Sequence, residues 1–255
     1  MSEVEIPREP AGRVVVITAA GDGIGQATAH AFARAEYRLV LVDLREDAVA
    51  ATARALPKVD VEVVVADVTD EGQVAGIADR SVERFGEVNA LVNVVGGSRP
   101  GKTTVDLALD EWNRLLALNL TSTFLMCRAF IPQLERAGGG AIVNVSSGAG
   151  ISGMSANPGY CAAKAGVVAL TRALAIDHSS AGIRVNCVAP GPIGTPLMRR
   201  NRRPDEIAAL GRLMLIGRIG EPEEVAAAIL WLAGDDSSYV VGQTIEVNGG
   251  SRGAI

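Results

Sequence analysis

The chain has 255 residues, of which 48% are hydrophobic, and it carries a formal net charge of -5 with a pI near 5.2. A chain of this length and apolar content can bury a continuous core, and because no break in composition divides it, we expect a single domain over residues 1–255. The acidic balance and the lack of a long basic stretch argue against nucleic acid or an anionic membrane as a partner and favour a small molecule.

Short apolar runs rich in β-branched residues alternate with longer amphipathic stretches along the chain. The runs predict buried strands at residues 14–18, 38–43, 61–67, 90–93, 141–146, 184–189 and 244–247. The stretches between them predict helices that include residues 24–35, 71–85, 109–134, 160–179 and 223–233. This alternation is typical of an α/β, doubly wound, three-layer fold of the Rossmann type, with a parallel sheet of about seven strands.

One long stretch, residues 190–220, is rich in Pro, Gly and Arg and has no clear helical or strand pattern. An irregular stretch of this length inside a compact domain is usually a lid or a binding loop. We therefore expect it to cover a substrate site.

The residues that follow each predicted strand are the first candidates for a site, because open parallel sheets bind ligands at the carboxyl ends of their strands. A glycine-rich turn, residues 18–25, follows the first strand. The later strands are followed by Asp43, Asp67, Asn93 with Gly96, Ser147, and Pro190 with Gly191. These residues should meet at one edge of the sheet.

The glycine-rich turn, Thr18-Ala19-Ala20-Gly21-Asp22-Gly23-Ile24-Gly25, leads from a strand into a helix. Backbone N–H groups and the helix dipole at such a turn can bind a pyrophosphate. Asp43, at the end of the second strand, can accept hydrogen bonds from the adenosine ribose and would repel a 2′-phosphate, which favours NAD. The neighbouring Arg45 could offset that repulsion, so NADP stays the alternative.

Tyr160 and Lys164 stand four residues apart on a predicted helix, which places the phenol and the ammonium on one face. A free tyrosine has a pKa near 10, and lowering it by about three units requires ~4 kcal/mol of preference for the phenolate. A nearby lysine and a positive nicotinamide ring can supply this preference for the phenolate. We therefore expect Tyr160 to act as an acid/base in hydride transfer.

Read together, these motifs make the chain resemble the short-chain dehydrogenase/reductase family over nearly its whole length. The resemblance rests on the turn and on further motifs in order along the sequence: Asp67-Val68, Asn93-x-x-Gly96, Asn119, Ser147 with Tyr160-x-x-x-Lys164, the stretch from Pro190 to Thr195, Gly242-Gln243 and Asn248-Gly249-Gly250. It implies an NAD(H)-dependent oxidoreductase that interconverts a secondary alcohol and a ketone, and it implies a homotetramer.

The resemblance also implies roles for individual residues. Ser147 would polarise the substrate oxygen, Lys164 would also bind the nicotinamide ribose, and Asn119 would hold a water in a proton relay to Lys164. The catalytic set is thus Asn119, Ser147, Tyr160 and Lys164. The cofactor-binding set is Ala20, Asp22, Gly23, Ile24, Gly25, Asp43, Leu44, Asp67, Val68, Asn93, Gly96, Tyr160, Lys164, Pro190, Gly191, Ile193 and Thr195.

Within that second set, Asn93 is assigned to stabilising the central sheet. The resemblance assigns Asp67 and Val68 to the adenine pocket, and Ile193 and Thr195 to the nicotinamide carboxamide.

Two departures from the family pattern lie among the residues expected to bind the cofactor. Ala19 stands where the family usually has glycine, so either the alanine tolerates the local conformation or the turn shifts. Asn93-Val94-Val95-Gly96 replaces the usual Asn-Asn-Ala-Gly, which removes one side-chain amide. Neither change affects the predicted catalytic groups.

The substrate is left open by the sequence. Arg199, Arg200, Arg202 and Arg203 in the predicted lid either form a solvated, charged loop or bind an anionic group of the substrate. Alternatives within the family are a 3-oxoacyl thioester reductase and a dehydrogenase of carboxylated dihydrodiols. A non-catalytic NAD(H) sensor or scaffold is the alternative of a different class.

Cysteine content and the amino-terminal sequence indicate the cellular compartment in which we expect the protein. Cys127, Cys161 and Cys187 are odd in number and lack ligand-like spacing, so neither a disulfide framework nor a metal site is predicted. The first ten residues are polar and acidic, and no apolar run approaches the ~18 residues of a membrane span. We expect a cytoplasmic protein that does not bind membranes.

Overall fold

A single parallel sheet of seven strands, in the order β3-β2-β1-β4-β5-β6-β7, organises the computed structural model, which describes residues 12–250. The strands are β1 Val14–Thr18, β2 Arg38–Asp43, β3 Val61–Val65, β4 Ala90–Asn93, β5 Gly140–Val145, β6 Ile183–Pro190 and β7 Thr244–Val247. The order reverses direction between β1 and β4, which opens a crevice at the carboxyl ends of the strands. The predicted Rossmann-type fold is confirmed.

Ten α-helices lie among the described residues. They are α1 Gly23–Arg34, α2 Glu46–Ala55, α3 Glu71–Phe85, α4 Leu109–Leu116, α5 Ser122–Arg136, α6 Ala149–Ser152, α7 Pro158–His178, α8 Pro196–Asn201, α9 Pro204–Arg212 and α10 Pro222–Ala233. A π-helical segment, Ala117–Thr121, joins α4 to α5.

Successive side chains along each strand point to opposite faces of the sheet, and helices cover both faces, so the fold has three layers. In β1, Val14 and Val16 face one core, which α3 and α5 cover, while Val15 and Ile17 face a second core, which α1 and α10 cover. All four side chains are fully buried. Because both faces of the sheet are covered, the strands consist of nearly continuous apolar residues.

Local signals explain where several helices begin and end. Asp22 accepts a hydrogen bond from Gly23 N at the start of α1, and Asp70 accepts one from Gln73 N at the start of α3. Gly86, with φ of 82°, ends α3 in a conformation that favours glycine. These caps satisfy backbone groups that a helix end leaves unpaired.

Several predictions of element extent differ from the structure. β3 ends at Val65 rather than at residue 67. The predicted helix over residues 109–134 is divided by the π segment and extends to Arg136. The stretch 190–220 is not irregular, since it contains α8 and α9, whose first residues are prolines suited to that position. The predicted helices also omit α2.

Two helical stretches, Leu109–Arg136 and Pro158–Ala181, are long and apolar enough to cross a membrane by length and composition. Of their most apolar windows, 50% and 33% are buried in the structure. Core helices of globular proteins meet the same criterion, and α5 and α7 both pack against the sheet.

Candidate active site

The glycine-rich turn is held at the carboxyl end of β1 by two close approaches. Gly21 N donates to Asp43 Oδ2 at 2.9 Å, which ties the turn to the end of β2. A Cβ on Gly25 would lie 2.0 Å from Ala19 O, so the first turn of α1 packs directly on the backbone of the turn. Ala19 itself has a φ of 53°. The substitution of alanine for glycine is therefore accommodated by a left-handed alanine, which costs about 1–2 kcal/mol.

Thr18 joins this turn to the loop after β4. Its Oγ1 accepts hydrogen bonds from Val94 N at 2.9 Å and from Val95 N at 3.3 Å. The two segments that flank the crevice are thus fixed relative to each other. The N-terminus of α1, with Gly23 and Ile24 at its start, faces this crevice and offers backbone N–H groups of the kind that bind a pyrophosphate.

Asp43 is the acidic residue beside the turn. It is 9% exposed, and its Oδ1 accepts from Arg45 N at 2.9 Å. The Arg45 guanidinium lies 3.7 Å from Asp43 Oδ1 and 3.8 Å from Asp22 Oδ2, so two carboxylates share its charge. The following residue, Leu44, is 67% exposed.

The other predicted cofactor residues lie in two places. Asp67 Oδ1 accepts from Thr69 N, and Val68 is buried in the core under α3. Asn93 is buried inside the sheet, where its Nδ2 donates to Asn144 Oδ1 at 2.9 Å, and so its side chain joins β4 to β5. This arrangement suits the expected role of Asn93 in the central sheet.

The segment after β6 closes the crevice on the lid side. Gly191 N donates to Val247 O, and Pro190 O accepts from Gly148 N. Thr195 Oγ1 caps α8 by accepting from Met198 N, while its Cγ2 would lie 3.1 Å from a Cβ on Gly23. Ile193 is buried. The predicted cofactor residues after β6 therefore reach the start of α1, where the glycine-rich turn ends.

Lys164 is buried beneath the crevice, with an exposed fraction of 2%. Its Nζ donates to Val145 O at 2.9 Å and to Val95 O at 3.4 Å. Burial lowers the pKa of the Lys164 ammonium to about 8. A Cβ on Gly96 would lie 2.8 Å from this Nζ and 2.9 Å from Asn119 Oδ1, so both groups flank one point that only glycine leaves open.

Asn119 lies in the π segment and is fully buried. Its Oδ1 accepts from Gly97 N at 3.0 Å, and its Nδ2 donates to Gly97 O at 2.9 Å and to Leu115 O at 3.0 Å. The side chain thus fastens the loop after β4 to the helix. Segments of π-helix often occur at functional sites.

Tyr160 stands in the first turn of α7, close to the side chain of Ser147. Burial raises the pKa of Tyr160 above its ordinary value of 10, and Ser147 offsets part of this rise, while Cys161 adds to it. The protein groups alone thus raise this pKa, and the lowering expected from Lys164 together with the nicotinamide ring stays a prediction. The physical reason is that Lys164 directs its N–H groups at backbone carbonyls, while burial penalises the phenolate.

Lys164→Met should change how the free energy of unfolding depends on pH. The lysine has a pKa of about 8 in the folded protein and near 10.5 ordinarily. Between these values the unfolded chain binds more protons, so wild-type stability rises with pH, by roughly 3 kcal/mol at most. We expect the wild type to gain stability relative to the variant from about pH 8 upward, measured by urea unfolding.

Two buried thiols oppose this trend but occur in both proteins. Burial raises the pKa of Cys127 to about 12 and that of Cys187 to about 11. A thiol with a raised pKa makes the folded protein less stable above the ordinary pKa of the thiol, and for Cys127 this loss cancels when the two proteins are compared. Cys187 interacts with the Lys164 charge, so the comparison is made below the ordinary thiol pKa, where neither thiol contributes. Stability curves that stay parallel from pH 8 to about pH 9 would contradict the burial of a charged Lys164.

The arginines of the predicted lid are mostly paired with carboxylates. Arg199 donates to both carboxylate oxygens of Glu221 at 2.8 Å and to Gly194 O at 2.9 Å, which ties α8 to the start of α10. Arg203 pairs with Asp205 at 3.1 Å, and Arg200 lies 4.0 Å from Asp22. Of the two alternatives for these arginines, this pairing favours a solvated, charged loop over a cluster that binds an anionic group of the substrate.

Residues outside the predicted site contact its catalytic groups or lie beside them. Val95 and Gly97 contact Lys164 and Asn119 through their backbones, so no side-chain pattern could reveal them. Asn157 precedes α7, and the pair Asn157-Pro158 is a helix-start signal that the predicted boundary at residue 160 overlooked.

The site combines a glycine-rich turn at the switch point of a parallel sheet with a buried lysine one helical turn from a tyrosine. These features define a Rossmann-type nicotinamide-dependent oxidoreductase. A family model described as Enoyl-(Acyl carrier protein) reductase matches residues 18–252. Together with the relatives below, this match shows that the chain belongs to the short-chain dehydrogenase/reductase family. It is therefore an oxidoreductase acting on CH–OH groups with NAD(P).

Full-length relatives support this assignment. The chain is 41% identical over 242 residues to cis-4-hydroxycyclohexanecarboxylate dehydrogenase of Sinomonas cyclohexanicum, covering 94% of this chain and 96% of that protein. It is 38% identical over 243 residues to a 3-oxoacyl-(acyl-carrier-protein) reductase of Thermotoga maritima, covering 94% and 97%. It is 36% identical over 240 residues to meso-2,3-butanediol dehydrogenase of Serratia marcescens, covering 94% of each.

The fold also matches a solved structure. The crystal structure of levodione reductase superposes with a TM-score of 0.91 at 33% identity, covering 96% of this chain and 98% of that one. The relatives act on chemically different alcohols, ketones and thioesters according to their names. They fix the reaction class and leave the substrate open.

Proposed function

We propose that this protein interconverts a secondary alcohol and a ketone with NAD(H), and that Tyr160 is its general acid/base. The observation that carries the proposal is that Tyr160, beside Ser147, stands one helical turn from the buried Lys164 on α7. When bound, the nicotinamide supplies the group that accepts or donates hydride. The four catalytic residues of the family pattern handle the oxygen and the proton.

In this proposal, Ser147 donates a hydrogen bond to the substrate oxygen and orients it. Tyr160 removes the hydroxyl proton in oxidation and returns a proton to the oxygen in reduction. Because burial raises the pKa of Tyr160, the phenol is the resting form, which is the form that protonates a ketone oxygen. Lys164, with a pKa of about 8, stays mostly protonated at neutral pH and binds the nicotinamide ribose.

The charges around the turn support NAD over NADP. Asp43 and Asp22 carry two carboxylates beside the first helix, and Arg45 lies between them rather than free to meet a phosphate. A 2′-phosphate near Asp43 would place like charges together. Adenine and ribose contacts from Leu44, Asp67 and Val68 complete the proposed nucleotide site.

Asp43→Ser is expected to reduce the preference for NAD over NADP, expressed as the ratio of kcat/KM values, by about tenfold or more. The change removes a carboxylate that would bind ribose hydroxyls and repel a 2′-phosphate. Asp79→Ser, an exposed site on α3 away from the crevice, is the matched control. An unchanged ratio would show that Asp43 does not select the cofactor.

The test of the function is NADH absorbance with a panel of secondary alcohols and their ketones. The relative from Sinomonas acts on a carboxylated cyclic alcohol by its name, and the Thermotoga relative acts on a 3-oxoacyl thioester. Carboxylated cyclic alcohols, vicinal diols and 3-oxoacyl thioesters therefore belong in the panel. Turnover with NAD supports the proposal, and the best substrate class chooses between the alcohol dehydrogenase and the thioester reductase.

A non-catalytic NAD(H) sensor is the competing proposal. NADH binding without turnover on any member of the panel would favour it. The complete set of Asn119, Ser147, Tyr160 and Lys164 supports catalysis instead, because a protein that only binds nucleotide has no chemical need for a buried tyrosine and lysine pair.

A homotetramer in the cytoplasm completes the proposal. Helices α5 and α7 expose apolar side chains, with Phe124 42% exposed and Ile176 79% exposed. Exposed apolar side chains on long helices are typical of subunit contacts. The resemblance to the family supports the tetrameric state.

A further inference from the structure

Asn157 is a buried polar residue whose side chain does not serve its own helix. It occupies the N-cap of α7 and is 2% exposed, yet it makes no side-chain cap hydrogen bond. Asparagine at this position normally accepts a hydrogen bond from the first turn. Instead, Asn157 Nδ2 donates to Ser98 Oγ at 2.6 Å. The side chain is therefore committed to a loop that is distant in sequence.

This arrangement carries two local costs. Asn157 Oδ1 is buried and has no hydrogen-bond donor among the described residues, which costs about 1–3 kcal/mol. The preceding Ala156 has a φ of 52°, a left-handed conformation that costs about 1–2 kcal/mol outside glycine. Both features stand directly before the turn of α7 that bears Tyr160. Strain of this kind concentrates at functional sites.

The loop that Asn157 holds also contacts the other catalytic groups. We call residues 95–102 the strap. At its start, Val95 O accepts from Lys164 Nζ, and Gly97 exchanges two hydrogen bonds with the Asn119 side chain. One end of the strap is thus anchored on the buried lysine and on the π segment.

The other end of the strap is anchored beside Asn157. Gly101 N and Lys102 N donate to Ala156 O at 2.8 and 3.2 Å. The Lys102 ammonium pairs with the carboxylate of Glu111 on α4. Ser98, between the two anchors, provides the side-chain contact to Asn157.

We propose that Asn157 is a positioning residue, which holds the first turn of α7 against the strap and thereby fixes Tyr160 relative to Lys164 and Asn119. Asn157 precedes Tyr160 by three residues, and its carbonyl accepts a hydrogen bond from Cys161 N at 3.1 Å, so a contact at Asn157 bears on the turn that carries Tyr160. The catalytic part of this inference rests on the proposed function of Tyr160. The physical part, that the contact orders the turn, is independent of it.

Ser98→Ala tests the contact from its exposed side, where a loss of folding is not expected. We expect kcat with the best alcohol of the panel to fall by about tenfold to a hundredfold, with KM and NADH affinity unchanged and the protein still folded. Ser98→Thr keeps the hydroxyl and should restore kcat. Ser152→Ala, another exposed serine, whose Oγ donates to Gly148 O, is the control.

A double variant shows whether Asn157 and Ser98 act through their shared contact or independently of each other. Asn157→Ala and Ser98→Ala remove the same contact, so the combined variant should lose no more than the larger single loss. Additive losses, a wild-type kcat in Ser98→Ala, or failure of Ser98→Thr to restore kcat would overturn the proposal.

Amide hydrogen exchange tests the same contact without a substrate. Residues 159–163 should exchange faster in Ser98→Ala and in Asn157→Ala than in the wild type, and Ser98→Thr should match the wild type. If the wild type turns over no substrate, the proposed function fails, yet this measurement still decides whether Asn157 holds the turn. Unchanged exchange in both alanine variants would overturn the inference even in an active enzyme.

Discussion

Tyr160→Phe is expected to lower kcat by about 10²- to 10⁴-fold in both reaction directions, which is the usual contribution of a general acid/base. The variant removes only the hydroxyl that exchanges a proton with the substrate oxygen. NADH affinity, followed by fluorescence, should stay near the wild-type value, because the ring and Lys164 remain. Steady-state kinetics with the best alcohol and ketone of the panel provide the measurement.

Tyr239→Phe is the matched control, because Tyr239 is fully exposed and lies outside the crevice. It should leave kcat unchanged. A Tyr160→Phe enzyme that keeps the wild-type kcat would show that another group moves the proton. A variant that instead loses NADH binding would show that Tyr160 serves the cofactor site more than the chemistry.

Gly25→Ala is expected to destabilise the protein by about 3 kcal/mol or more and to abolish nucleotide binding. The added Cβ would lie 2.0 Å from Ala19 O and 2.6 Å from Ala19 C, both backbone atoms. Neither can move away easily, since Ala19 already has a left-handed φ and follows a fully buried strand. The first turn of α1 must therefore shift out of the position that binds a pyrophosphate.

Gly76→Ala, inside α3, is the control, and it should change stability in the opposite direction. A Cβ there would meet nothing within 4 Å, so the substitution should raise the free energy of unfolding by about 1 kcal/mol through helix propensity alone. Urea unfolding and NADH titration of the two variants provide the measurements. Equal effects from both substitutions would contradict the overlap at Gly25.

The apolar runs predicted the sheet because its central strands are buried on both faces. Runs such as Val14–Thr18 and Arg38–Asp43 agree with the structure because an apolar strand between two helical layers has few alternatives. The convergence of the turn, Asp43 and Ser147 followed from parallel topology, which brings carboxyl ends to one edge. The spacing of Tyr160 and Lys164 indicated the reaction class because residues four apart share one face of a helix.

The features that the sequence did not reveal depend on contacts between distant segments. The contact between Ser98 and Asn157 joins residues 59 positions apart, and neither residue belongs to a spaced motif. The pKa of Tyr160 depends on how deeply the ring is buried, which no spacing states. Helices α8 and α9 begin at prolines, which the general richness of this stretch in Pro and Gly concealed.

The π segment Ala117–Thr121 has a consequence for chain length. A π turn contains one residue more than the α-helical turn that it replaces, so it acts as a single-residue insertion that the helix has absorbed. Deleting one residue there would restore a regular α-helix, and α4 and α5 on either side would keep the faces that they bury. Asn119 would then turn away from Gly97, while the fold around it persisted. A deletion at this place should accordingly leave the protein folded and stable but should abolish its activity.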